Sequence, residues 1–218
     1  MNIHIHYHSI LVLLATVYPV SFPQIILSFR GRYNHKNQNM IYLEYCVIMS
    51  SIILILSCVL VPISNNIIIS SDIMWYIISI VAAPILIIIE FIIGTIILRL
   101  SGKMVKGISV NANWKKISIV GCISTILLAI IEELIYRQLW SVAMLDNLHW
   151  NIYLYIILSS VIYGFNHLYY GFATFIQKTI SGILLAVIFL LSGRSIIIPI
   201  IIHVLQNLII LLMGRYKK

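Results

Sequence analysis

An all-α, polytopic bundle of about seven transmembrane helices is the fold class this sequence predicts, and three observations predict it. Of its 218 residues, 61% are hydrophobic and only 9% charged, a balance that excludes a soluble globular domain. Apolar runs long enough to cross a bilayer recur along the whole chain. Those runs are continuous rather than alternating, which argues against a closed β-barrel. Their many Ile residues do not argue for strands, because backbone in lipid must satisfy its hydrogen bonds within its own segment.

The candidate spans fall at about 9–29, 40–63, 73–98, 117–138, 150–168, 174–191 and 195–213. The first lacks the basic n-region and cleavage site of a signal peptide, so it reads as a retained span, kinked or broken at Pro19 and Pro23. Before it, His4, His6 and His8 read as a mobile, solvated tail with at most weak metal affinity. In the second span Glu44 lies near an end and can snorkel or pair with Lys36. The third carries Glu90 at its middle with no motif around it, and Lys178 and Arg194 are its candidate partners. The fourth carries adjacent glutamates, Glu132 and Glu133. Residues 138–150 either extend the fourth helix or lie at the interface, where Trp140, His149 and Trp150 suit the headgroup level. In the sixth span Gln177 and Lys178 read as interfacial.

The formal charge of +8 would suggest nucleic acid if the basic residues formed a stripe, but they flank the spans instead. Arg30, Arg32 and Lys36 follow the first span; Arg99, Lys103, Lys106, Lys115 and Lys116 surround the loop after the third; Arg215, Lys217 and Lys218 close the chain. The loop 64–72 has neither Lys nor Arg. The bias places the N-terminus outside and the C-terminus in the cytoplasm, with the bilayer as partner and no nucleic acid, and the Ile-rich, compact chain reads as one of a prokaryotic cell membrane. Cys46, Cys58 and Cys122 all sit in apolar segments without paired spacing and read as small core residues.

Chemistry is sought where ionisable groups enter lipid, because there they are costly. From 117 to 135, eleven Ile, Leu and Val residues favour insertion by about 5 kcal/mol in total. Two central carboxylates, at about 2.5–3.5 kcal/mol each, cancel that gain, so the segment needs partners for them. Arg137 is i,i+4 to Glu133 and suited to an ion pair, while Glu132 lies about 100° around the helix and stays available as a general base. Tyr163 and His167 share a face at i,i+4 near the end of the fifth span. His203 and Asn207 do the same inside the otherwise apolar last span. Each pair alone suits a structural network or interhelical glue; recurrence on three spans favours a shared site.

Glu132-Glu133-x-x-x-Arg137, Tyr163-x-x-x-His167 and His203-x-x-x-Asn207 resemble, in order and spacing, the three motifs of the CPBP (CAAX protease and bacteriocin-processing, Abi) intramembrane endopeptidases. The resemblance divides the chain into N-terminal spans without a motif (1–116), a catalytic core (117–213) and a basic tail (214–218). It implies hydrolysis of a peptide bond in a hydrophobic or membrane-delivered peptide or protein, such as a leader peptide, pheromone or bacteriocin precursor. On that analogy Glu132 activates a water, His167 positions it, and His203 and Asn207 donate to the oxyanion. Glu133 and Arg137 orient the constellation. Tyr163, where the family usually has Phe, keeps the ring for substrate binding and adds a hydroxyl. Glu and His would suit zinc, but no His-Glu-x-x-His helix is present, and the expectation is a site without a metal or other cofactor. The rival reading is a non-catalytic scaffold or bacteriocin-immunity protein of the same fold. A proton-coupled carrier is disfavoured because no internal repeat is evident.

Overall fold

The computed structural model describes residues 3–19, 23, 38–63, 67–102 and 118–216. Among these residues there are seven α-helices: α1 (Ile3–Ala15), α2 (Gln38–Leu60), α3 (Ile73–Leu100), α4 (Ile119–Glu133), α5 (Ile152–Phe165), α6 (Phe172–Leu191) and α7 (Ile197–Tyr216). The only extended pairing among them is an isolated parallel bridge between Ile68 and Ser195. Among the described residues four helices are long and apolar enough to cross a membrane: Tyr42–Leu60, Ile73–Leu100, Ile119–Asn147 and Phe172–Leu191. The apolar helices Ile3–Ala15, Ile152–Phe165 and Ile197–Met213 are shorter.

Several expectations are sharpened here. The fourth helix does extend: α4 continues through π-helical stretches at Leu134–Leu139 and Val142–Asn147. That puts Glu132 and Glu133 at the middle of a 29-residue span. The first helix stops at Ala15, ahead of Pro19, as a proline break requires. Residues 20–22 and 24–29 of that predicted span, with Arg30, Arg32 and Lys36, lie outside the described residues, as do Lys103, Lys106, Lys115, Lys116, Lys217 and Lys218. His4, His6 and His8 are not a loose tail but part of α1, whose apolar residues continue the helix back to Ile3.

Two compact units divide the chain: 1–67 with 117–155, and 68–116 with 156–218. In the first, α2 and α1 pack against the long fourth helix, around Val12, Val61, Ile63, Leu139 and Val142. Thr16 ties the end of α1 to that helix. Its hydroxyl donates to the Val12 carbonyl at 2.7 Å and accepts from the Trp140 indole at 2.9 Å, and its carbonyl accepts from the Tyr136 hydroxyl at 3.4 Å. Trp140 is therefore buried, and the headgroup-level expectation for it is corrected: a satisfied indole N–H can leave the interface. Trp150 does stay partly exposed.

In the second unit α3 packs on α6 and α7 around Ala83, Leu86, Leu185, Ile198 and Ile202. Close approach of α5 and α6 depends on glycine: a Cβ at Gly164 would collide with the Thr179 hydroxyl, and one at Gly182 would lie 3.1 Å from Ser160 Cα and from the Tyr163 ring. Gly193 and Arg194, at φ 72° and 64°, turn the chain from α6 to α7. Beside that turn, the Ser195 hydroxyl accepts from the Ser70 N–H at 2.9 Å.

Glu90 finds its partner here, and of the two candidates it is Lys178. The ammonium lies 2.8 Å from Glu90 Oε1, the Ser181 hydroxyl donates to the same oxygen at 2.7 Å, and the Gln177 amide donates to the Glu90 carbonyl at 2.6 Å. Gln177 and Lys178 thus serve an interhelical clamp between α3 and α6, not the membrane interface. Removing one member of such a pair strands the other charge in an apolar setting. Glu90→Leu or Lys178→Met alone should lower unfolding free energy by about 3 kcal/mol, while the double apolar variant recovers most of it. Unfolding by a denaturing detergent, followed by circular dichroism, measures this; additive losses in the double variant would contradict the clamp.

Candidate functional site

The glutamates of the first unit lie on the buried face of α4, which also presents Gly121, Ser124, Thr125 and Ala129. Glu133 and Arg137 are fully buried, and Arg137 Nε donates to Glu133 Oε2 at 3.0 Å. The i,i+4 pairing expected from the sequence is therefore present, with no water to screen it. Glu132 is less enclosed, at 8% exposure. The helix changes from α to π immediately after Glu133, a local widening of the kind that recurs at functional positions. Tyr155 donates its hydroxyl to the Arg137 carbonyl at 3.2 Å and so braces the π-helical stretch. Sequence spacing gave no sign of this brace, because Tyr155 reads as one aromatic among many.

In the second unit the structure brings Tyr163, His167 and His203 together. Helix α5 ends at Phe165, so His167 lies in the turn beyond it, not on the helix proper. It nonetheless meets Tyr163, because its Nδ1 reaches back 3.1 Å to the Tyr163 carbonyl. A carbonyl can only accept, so Nδ1 carries the proton and a neutral ring keeps its lone pair on Nε2. The same bond gives a partner to a carbonyl in the last turn of α5, where helix carbonyls begin to lack one. The Tyr163 ring stands edge-on to both histidines, with centroids 4.9 Å from His167 and 5.9 Å from His203. Its hydroxyl lies 3.4 Å from His203 Nε2, a long contact that gives orientation more than energy. Buried as it is, Tyr163 works as a post between two imidazoles. Asn207 follows His203 by one turn of α7 and is partly buried.

A histidine that gives one N–H to a carbonyl keeps its other nitrogen for a water or for a metal alike. Glu133 is neutralised by Arg137, His167 has committed Nδ1 to a carbonyl, and His203 shares Nε2 with the Tyr163 hydroxyl. No group of three or more His, Cys, Asp or Glu side chains with metal-holding geometry occurs among the described residues.

Comparison with known proteins adds one match. Residues 114–209 fit the family model described as type II CAAX prenyl endopeptidase Rce1-like. No curated protein and no solved structure matches the chain. The matched stretch takes in α4, α5, α6 and most of α7, and with them Glu132, Glu133, Arg137, Tyr163, His167, His203 and Asn207; α1 to α3 lie outside it. Residues 114–209, which carry all three motifs, are thus similar to the Rce1-like type II CAAX prenyl endopeptidases.

Proposed function

We propose that this integral membrane protein is an intramembrane endopeptidase in which Glu132 activates water against a peptide bond. The observation that carries the proposal is the unequal treatment of two adjacent carboxylates at mid-span: Glu133 is fully buried on Arg137, while Glu132 keeps some access. A neutralised neighbour spares Glu132 a like charge beside it, which suits it to act as the general base.

The chemistry follows in two steps. Glu132 takes a proton from water as the oxygen attacks the scissile carbonyl carbon, breaking the C=O π bond and leaving an oxyanion. Donors from His203 and Asn207 stabilise that oxyanion, and His167 orients the water through the lone pair on Nε2. The tetrahedral species then collapses, the C–N bond breaks, and Glu132 returns its proton to the departing amine. Glu133 and Arg137 hold the carboxylate in place, and no metal or other cofactor is required. The substrate class is a hydrophobic or membrane-delivered peptide, such as a leader peptide, pheromone or bacteriocin precursor. The compact Ile-rich chain suits a prokaryotic cell membrane, with the N-terminus outside and the C-terminus cytoplasmic.

Three measurements test this. Glu132→Gln should lower turnover by about 10²–10⁴-fold at equal abundance. Mass spectrometry of new peptide termini in cells carrying either protein should then show termini unique to the wild type. Identical termini would favour a scaffold or immunity role instead. A membrane-permeant chelator should leave cleavage unchanged; loss of activity restored by zinc would reverse the metal-free assignment. Tyr163→Phe should fold normally and lower kcat by less than about tenfold with little change in KM, because one long hydrogen bond is removed. An effect confined to KM would instead make Tyr163 a substrate contact.

A further inference from the structure

Helix α7 carries a third polar side chain in its apolar span that the motifs leave without a role. Gln206 is 1% exposed, and its Nε2 has no hydrogen-bond partner among the described residues. At 3.6 residues per turn Gln206 lies about 60° to one side of His203, and Asn207 about 40° to the other. The three therefore share a sector of about 100° on a helix whose remaining residues from Ile197 to Met213 are apolar apart from Pro199.

A primary amide has two donors and two acceptor lone pairs, and leaving them unmade in a water-poor interior costs folding free energy. A structural amide would be paired, as Gln177 is with the Glu90 carbonyl. The exchange of amide O and N, which look alike in shape, does not remove the problem, because either terminal atom would be left bare at the same place. An unmet group of this kind calls for a ligand.

We propose that Gln206 is a substrate-binding residue whose carboxamide donates a hydrogen bond to a backbone carbonyl of the bound peptide. The proposal rests on the endopeptidase reading and adds to it. An extended peptide in an apolar site brings carbonyls and amides that need partners as much as Gln206 does, so each satisfies the other. Burial of Gln206 in the free protein is what gives the bond its selectivity for a polar backbone over a lipid chain.

The test separates binding from stability and from catalysis. Full-length Glu132→Gln protein in dodecylmaltoside micelles is compared with the same protein carrying Gln206→Leu, and with one carrying Gln206→Met in case the branched side chain fits poorly. Binding of a fluorescein-labelled Leu- and Ala-rich peptide is read by anisotropy, and stability by thermal melting. The expected result is binding weaker by about five- to tenfold, with a melting temperature equal to or above that of the parent, since no internal hydrogen bond is lost. Unchanged binding, or a fall in melting temperature with both replacements, overturns the proposal and makes Gln206 a packing residue. Hydrolysis of the same peptide by wild type and not by Glu132→Gln tests the endopeptidase reading on its own; peptide that binds neither protein overturns both.

Discussion

The first unit depends on one ion pair held in lipid-compatible surroundings, Glu133 with Arg137 at 3.0 Å. Without it, α4 would carry two uncompensated carboxylates at mid-span, and the insertion gain of its Ile and Leu residues would be cancelled. With it, one carboxylate is neutralised and the apolar length of a 29-residue helix supports the other. The pair needs Arg137 to be rigid, and the helix supplies that in two ways. Tyr155 fixes the Arg137 carbonyl, and the flanking Tyr136 and Trp140 anchor the same stretch to Thr16. An aromatic hydroxyl or indole N–H is suited to the task because it brings one donor on a large apolar body.

The second unit solves a different problem, which is to fix the orientation of two imidazoles. Tyr163 supplies a carbonyl to His167 and a hydroxyl to His203, so one residue sets the orientation of both rings. That post stands only because α5 and α6 approach closely at Gly164 and Gly182, where any side chain would meet Thr179, Ser160 or Tyr163 itself. The clamp from Glu90 to Lys178 and Ser181 holds α6 against α3 from its other side. Polar residues remote from the motifs thus act on the motif residues through helix packing.

Composition and apolar runs made the helical membrane fold legible, because lipid permits few alternatives. The i,i+4 spacing made the Glu133–Arg137 pair legible, since helical geometry fixes which residues meet; Tyr163 and His167 meet as well, although His167 lies past the end of α5. The length of the fourth helix was not legible, because Gln138, Asp146 and Asn147 look like a loop until the π-helical turns are seen to carry them. Trp140 was placed at the interface on its residue type, which says nothing about an indole donor already paired. Glu90 had two plausible cations more than eighty residues away, and only tertiary packing selects Lys178. Gln206 stood in the sequence beside Asn207 without distinction, since an unmet hydrogen bond is a property of surroundings and not of spacing.

Satisfaction of polar groups therefore sorts structure from chemistry in this chain. The Glu90 cluster is complete: its carboxylate, its carbonyl and its lysine all have partners, and a finished network has little left to offer a ligand. Glu133 is likewise occupied. Gln206 retains an unmet donor after folding, and His167 keeps the Nε2 lone pair of its neutral ring. A membrane interior makes such incompleteness expensive, so it persists where something else completes it. A peptide bond is a fitting complement, because its carbonyl and amide carry the same unmet demand into the bilayer.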